Sequence, residues 1–427
     1  MTLFGIIALI TFIVGYFFIA TEHKFKTHKS AIAIGLGGFL WVLVALSGMD
    51  KGVLKTHLAE TSGDIFGIII FLLSAMTLVE ILIHYKFFDW LGEKLLEMKF
   101  DDRKQFLVMG AITFFLSAVV DNTTLTIIMV QIARGFFKGK NLLVAVAGIV
   151  ILSNAGGAWS PTGDVNTLMI WLAGKVETVD FLTKGFLPAF SFAVVLSILL
   201  ARKIQNDTHD TLKKEKTVLT RGEILIVILS LISFISPLLV NSIGLEPYMG
   251  RLFGLGLVWI AIEFVKGRSA KQTHVEANVE SFLQRTDISS LNFLIGILLA
   301  VSALSTMGVL NTMSQFIFGT AQDFSRLVMG TVAMGIASSF VDNVPLTAIA
   351  IKMITSTDYM IWILMALAVT TGGSLLIVGS IPGVVAMGMI KELTFGKYMK
   401  LATIPVFIAF CVGVAVWLVE YQVIKGF

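Results

Sequence analysis

Long apolar stretches alternate with short polar ones along nearly the whole chain. Residues 3–20, 31–47, 65–84, 181–200, 222–240, 248–265, 291–310 and 399–420 each approach the ~20 apolar residues that a helix needs to cross ~30 Å of hydrocarbon. The pattern predicts eight full membrane-spanning helices. Four further apolar stretches are too short for that: 106–120 and 123–134, then 327–341 and 344–356. At 1.5 Å per residue they reach only ~18–23 Å. Each short pair meets at an acidic dipeptide, Asp121-Asn122 in the first and Asp342-Asn343 in the second. Two re-entrant hairpins, 106–134 and 327–356, follow from this, with Asp-Asn at tips that line a cavity, where irregular backbone is tolerated.

The two tips are written in nearly the same words. Ser117-Ala-Val-Val-Asp-Asn-Thr-Thr-Leu-Thr126 and Ser338-Ser-Phe-Val-Asp-Asn-Val-Pro-Leu-Thr347 share six of ten positions at an offset of 221 residues. A broken span follows each hairpin. The first, 141–174, breaks at Asn154-Ala-Gly-Gly and resumes after Gly163-Asp164. The second, 360–390, breaks at Thr371-Gly-Gly-Ser and resumes after Gly379-Ser380. Here the offset is 216. Paired glycines, with Pro161 and Pro382, allow backbone that a continuous helix forbids. Each half then holds three full spans, a hairpin, a broken span and a last full span. Five crossings are odd, so the second half must be inverted. The expected fold is an all-α polytopic membrane protein of two inverted-topology repeats, about ten crossings plus two hairpins. The repeats are 1–205 and 222–427, with a linker at 206–221.

Composition supports the class. Of 427 residues, 56% are hydrophobic and 14% charged, where soluble domains carry roughly a quarter charged residues; mean hydropathy is +0.89. The net charge of +4 is spread over short loops and is no nucleic-acid signal. The lone Cys411 excludes intrachain disulfides and cysteine-based metal sites. The first apolar run lacks a preceding Lys or Arg and a small-residue cleavage site, and reads as a retained span. Segments 21–30, 85–105, 134–140, 201–221, 266–290 and 391–400 carry 24 of the 32 Lys and Arg. Positive-inside bias places these in the cytoplasm and both termini outside. Loops 201–221 and 266–290 are polar and expected to be mobile.

A carboxylate at the bilayer centre costs about 2.5–3.5 kcal/mol even on lenient scales. A chain that carries this cost twice, at matching places, is expected to be a transporter with its site between the repeats. The candidate ion- and proton-binding residues are Asp121, Asn122, Thr124, Asn154, Asp164, Asn166, Thr167, Ser338, Asp342, Asn343, Thr371 and Ser374. Asp121 and Asp164 are expected to be the central carboxylates, sharing a cavity with Asn154, with sodium at Asp121, Asn122, Asn154 and Asp164. Such oxygen ligands suit a hard cation, and no Lys or Arg lies at a tip or break to hold an anion; half-helix N-termini keep the anion option open. A desolvated carboxylate binds protons more tightly and a nearby cation opposes this, so sodium and protons would compete. No cofactor is implied beyond sodium or lithium as the transported substrate.

Blander readings stand beside these. Asp-Asn also caps helices well, though an intramembrane position twice over weighs against that alone. Membrane hydroxyls usually bond their own backbone. Glu80 and His84, at i and i+4, suggest pH sensing or a solvated interfacial pair. Lys352 is expected to snorkel outward. Pro161-Thr-Gly-Asp164 superficially resembles an intramembrane aspartyl-protease motif, but the duplicated hairpins favour transport over an enzyme.

The duplicated Asp-Asn hairpins followed by Gly-Gly…Gly-Asp breaks resemble the NhaD-type sodium/proton antiporters. These belong to the ion transporter superfamily, with arsenite-efflux permeases and sodium-coupled dicarboxylate carriers. The likeness covers nearly the whole chain. It implies sodium (or lithium)/proton exchange in a bacterial-type inner membrane, by a homodimer with a fixed scaffold and a moving transport part, working as an elevator. It also ties Asp121, Asn122, Asn154, Asp164, Thr167, Ser338, Asn343 and Ser374 to ion transport. Asp164 aligns with Ser380, so the second half lacks one carboxylate. The alternative within the superfamily is movement of a small solute, arsenite-like or dicarboxylate. The missing basic residues weigh against a dicarboxylate and the distant Cys411 against a thiol site for arsenite.

Overall fold

The computed structural model describes residues 2–25, 27–205, 219–268 and 279–426. Among them every regular element is helical. Eight helices are long and apolar enough to cross a membrane, nine if the bent pair at 221–242 is one span. The chain is an all-α polytopic membrane protein, as its hydrophobic pattern predicts.

In chain order the first half contains α1 (Leu3–Ala20), α2 (Glu22–Phe25), α3 (Lys29–Leu46), α4 (Lys51–His84), α5 (Phe87–Glu97), α6 (Asp102–Leu116), α7 (Asn122–Phe136), α8 (Gly139–Gly157), α9 (Val165–Leu172), α10 (Thr178–Lys184) and α11 (Phe186–Ala201). The second contains α12 (Arg221–Ser233), α13 (Ser236–Ser242), α14 (Pro247–Arg268), α15 (Val279–Arg285), α16 (Ile288–Thr306), α17 (Val309–Phe318), α18 (Phe324–Ala337), α19 (Asn343–Met353), α20 (Tyr359–Gly372), α21 (Ile381–Met389), α22 (Phe395–Tyr398) and α23 (Ile404–Lys425). A 3-10 turn at Ile377–Gly379 precedes α21, and a π turn at Met399–Thr403 precedes α23.

Several boundaries depart from the hydrophobic runs. α4 has 34 residues and starts at Lys51 rather than 65, because Asp50 caps it: its Oδ1 accepts from the Gly52 and Val53 N–H groups at 2.8 and 3.2 Å. At about 51 Å it exceeds the hydrocarbon layer, so one end stands beyond it. The expected span at 222–240 bends by 41° between α12 and α13, where Pro237 interrupts the ladder. Segments read as connections after 84 and 310 hold the short helices α5 and α17, each too brief and too mixed in polarity to register as a span. Within the expected mobile loop 266–290, α15 is an ordered helix; residues 269–278, like 206–218 of the loop and linker before α12, lie outside the described residues.

Packing pairs the halves. α6 and α7 both lie on α8, and α18 and α19 both lie on α20. α7 meets α21 of the other half, while α19 meets α9. α3 packs on α16, α4 on α14, and α11 on α23. Both apolar cores draw on both halves. In the second half Arg251, on α14, is fully buried with its guanidinium between the Phe71 and Phe234 rings at 4.5 and 4.8 Å; none of its three side-chain nitrogens has a hydrogen-bond partner. Sequence alone does not show this burial, because Arg251 sits close to a span end like any interfacial cation.

Close backbone contacts recur at the two offsets. The Ser117 hydroxyl donates to the Ser153 carbonyl at 2.5 Å, and the Ser338 hydroxyl to the Val369 carbonyl at 2.8 Å. Gly156 lies against the Phe114 carbonyl and Gly372 against the Gly335 carbonyl, each too close for a Cβ. A Cβ on Gly163 would sit 2.6 Å from the Ser117 carbonyl oxygen, and one on Gly379 equally close to that of Ser338. The paired glycines therefore let the hairpin backbone touch the broken span.

Gly372→Ala is expected to destabilise the fold by about 1–3 kcal/mol, because backbone on both sides must give way. Gly388, with nothing within 4 Å of an added Cβ, is the control. Thermal unfolding in detergent should show a melting point several degrees lower for Gly372→Ala and unchanged for Gly388→Ala.

Candidate functional site

Asp121, Asp164 and Asp342 are each the N-cap of a half-helix. Asp121 precedes α7, and its Oδ1 accepts from the Thr123 and Thr124 N–H groups at 3.1 and 2.9 Å. Thr124 also turns its hydroxyl toward this carboxylate. The other oxygen, Oδ2, is buried and has no hydrogen-bond partner. Capping thus occupies one oxygen and leaves the second for chemistry. Asp342 precedes α19, with Oδ1 accepting from Val344 N–H at 3.0 Å, while its own N–H donates to the Tyr16 hydroxyl at 3.0 Å. Asp164 opens α9 in a capping box with Thr167.

Two polar clusters grow from these caps. In the first, Asn122 donates its amide to Asn154 Oδ1 at 3.0 Å, and Asn154 donates to Ser374 Oγ at 2.9 Å. Asn154 and Ser374 are fully buried. The chain of bonds therefore crosses from the first hairpin to the break of the second half. In the other cluster, Asp164 Oδ1 accepts from Val165 N–H at 2.8 Å and Oδ2 from the Asn166 amide at 2.7 Å. Asn166 Oδ1 accepts from the Thr347 hydroxyl at 3.1 Å, which again crosses between the halves. Asn343, at the start of α19, is buried beside it.

The expected central acids, Asp121 and Asp164, cap different helices, α7 and α9. The carboxylate whose charge bears on Asp164 is Asp342, and on Asp121 it is Asp287 at the start of α16. Asn154 bonds to Asn122 and Ser374. The reason is topological: α9 packs on α19, whereas α7 packs on α8 and α21.

Some expected ligands donate their hydroxyl proton to backbone carbonyls. Thr371 donates to the Leu367 carbonyl of its own helix at 2.6 Å, and Ser338 sits between the Gly335 and Val369 carbonyls. Thr167 bonds the Asp164 and Gly157 carbonyls at 2.9 and 3.4 Å. These hydroxyls brace backbone. Glu80 and His84 lie near the far end of α4 against α15: Glu80 faces Arg285, and the His84 ring packs on Tyr85 and Phe282. They stand apart from both clusters.

Residues outside the twelve candidate ligands also contribute. The Tyr16 hydroxyl accepts from Asp342 N–H, and the Thr370 hydroxyl on α20 is buried with no hydrogen-bond partner. Thr347 bridges to Asn166. Its place in the duplicated motif was the available signal. A cavity of about 290 Å³ lies between α4, α9, α16 and α19, lined among others by Asp64, Met169, Ser302, Ala348 and Lys352. Met169 and Ala348 follow Asn166 and Thr347 by three residues and one, so this cavity descends toward the second cluster. Lys352 lines it with its Nζ 3.9 Å from Asp64, and both side chains are exposed.

A fold of broken helices whose half-helix caps hold acids inside the protein is that of a membrane carrier. The chain matches the citrate transporter family over residues 7–369 and belongs to it. It is 32% identical to sodium/proton antiporter 1 of Arabidopsis thaliana, over 96% of this chain and 71% of that protein. It is 31% identical to sodium/proton antiporter 2 of the same plant, over 96% and 98%. With the Na(+)/H(+) antiporter NhaD of Halomonas elongata it shares 28% identity over 94% and 85%. These relatives are transporters and not enzymes.

Asn154→Ala removes the amide that joins Asn122 to Ser374 and strands two buried polar groups, at about 1–3 kcal/mol. Transport should fall at least tenfold. Thr371→Val, which removes only a bond within α20, should keep at least half of wild-type flux in proteoliposomes.

Proposed function

We propose that this protein exchanges sodium or lithium for protons across the membrane. The observation that carries the reading is the pair of oxygen-rich clusters built around the buried Asp164 and the half-buried Asp121 and Asp342, to which no described Lys or Arg donates a hydrogen bond. Sodium/proton exchange by the named relatives agrees with it. Sodium and protons compete for the same carboxylates: a buried carboxylate without a cation favours its protonated form, and a bound cation reverses that preference. The cavity at Asp64 and Lys352 is the route to the Asp164 cluster from one side.

The contacts that recur at offsets 221 and 216 support two inverted repeats, 1–205 and 222–427, with both hairpin tips near the midplane. The charge bias supports both termini on the outer side of a bacterial-type inner membrane. In this reading a homodimer holds its scaffold still while the hairpins and broken helices, α6–α9 and α18–α21, move as an elevator. Glu80 and His84 then belong to pH response rather than to the ion path, since they face α15. The second reading, carriage of a small organic acid, is favoured by the family's description. It lacks a cationic partner for the carboxylates.

Acid should raise the apparent sodium KM and leave the maximal rate little changed, because protons hold the empty site. Above the pKa of that site the KM should plateau. Sodium-induced dequenching of a pH dye in everted vesicles, over roughly two pH units, spans about a hundredfold in proton activity. A flat KM, or flux that appears only with an added organic anion, would overturn exchange. Asp121→Asn and Asp164→Asn, which keep shape and remove charge, should each abolish sodium-dependent proton movement.

A further inference from the structure

Thr347 has one proton and two acceptors within reach. Its hydroxyl, fully buried on α19, lies 3.1 Å from Asn166 Oδ1 across the seam between the halves and 3.0 Å from the Asn343 carbonyl in its own helix. Asp164 settles which way the Asn166 amide points. The atom 2.7 Å from the carboxylate Oδ2 is the NH2 nitrogen, so the atom facing Thr347 is an oxygen. A hydroxyl donates only once.

The ordinary choice for a helical threonine is the carbonyl four residues back. With the proton on Asn343, Thr347 Oγ1 and Asn166 Oδ1 present lone pairs to each other and repel, unless a positive charge draws both. The Asp164 carboxylate on the same loop supplies the anion such a charge requires. Ligand oxygens about 2.4 Å from a hard cation of calcium's size stand roughly 3–3.5 Å apart when adjacent, and the two oxygens here already have that separation. By contrast Thr371 and Ser338 face only carbonyls.

We propose that Thr347 is a switchable ligand: it clasps Asn166 by a hydrogen bond when the site holds no cation, and turns its proton to the Asn343 carbonyl when a monovalent cation binds. Thr347 Oγ1 and Asn166 Oδ1 then ligate the ion beside Asp164. This rests on the cation-exchange reading above. No covalent bond changes; the hydroxyl rotates about its C–O bond. The surroundings are suited to it. Asp342 adds negative charge from the start of α19, with Lys29 facing it in turn, α20 contributes the Thr370 hydroxyl, and the α4 wall carries Asp64 paired with Lys352. Binding a cation therefore unfastens one bond between α9 and α19.

Thr347→Val keeps the shape and removes the oxygen; Thr347→Ser keeps the oxygen. Sodium binding is measured by titration calorimetry on the purified full chain in nanodiscs, and initial rates are measured in proteoliposomes at one pH. The serine variant should stay within twofold of wild type in sodium Kd and KM. The valine variant should weaken both about tenfold, with the maximal rate at saturating sodium within threefold. A hydroxyl that only braces α9 against α19 would lower the melting temperature and maximal rate and leave Kd unchanged. A wild-type Kd in the valine variant therefore overturns the proposal, and Thr347→Ala is judged by the same criterion if valine prevents folding. Wild-type protein that binds no sodium would remove the cation-exchange reading itself, and this ligand with it. Normal wild-type binding with an unaffected valine variant removes the ligand alone.

Discussion

Carboxylates that sit inside the protein and accept no hydrogen bond from a described Lys or Arg constrain everything else in this fold. Asp121, Asp164 and Asp342 each sit where a helix begins inside the protein, and each draws on main-chain N–H groups of the turn it caps. A half-helix N-terminus carries about half a positive elementary charge. Three such ends take the place of arginine or lysine, and they do so without occupying the site with a fixed full cation. The proposed exchange depends on that economy of charge, since a permanent ammonium at either tip would exclude a mobile one.

Helices can begin at that depth only if the chain stops, turns and restarts within a few residues. The glycines make this possible. Gly156 and Gly372 bring the broken spans against hairpin carbonyls closer than any side chain allows, and Gly163 and Gly379 do the same on the far side of each break. Ser117 and Ser338 then hydrogen-bond to the carbonyls of the helix they touch. The acids, the half-helix starts and the close glycine contacts form one mechanical unit in each half. Polar bonds from Asn154 to Ser374 and from Thr347 to Asn166 join the two units.

Much of this is legible in the sequence, for physical reasons that differ by feature. The spans announce themselves because hydrocarbon tolerates little but apolar helix, and the breaks because a duplicated Asp-Asn and Gly-Gly have few other uses there. α5 and α17 escape notice because ten or eleven residues fall well short of a crossing, although their apolar positions do follow a helical period. The site is harder to read. Nothing local to Thr371 or Ser338 says that its hydroxyl bonds backbone, and nothing local to Thr347 says that it does more. The partner that decides lies some 181 residues away in Asn166, and only the packing of α19 on α9 brings it near.

Arg251 bears on how the protein is made. A guanidinium at the bilayer centre costs about 2.5–3.5 kcal/mol; Arg251 lies nearer the end of its span, and its burial in the protein is offset by two aromatic faces rather than by an acid. Phe71 and Phe234 both precede Arg251 in the chain, so both leave the ribosome before it. α14 can therefore enter the membrane against a cradle already present, and its insertion becomes an act of assembly with α4 and α12. The order of synthesis itself lowers the barrier to burying that charge.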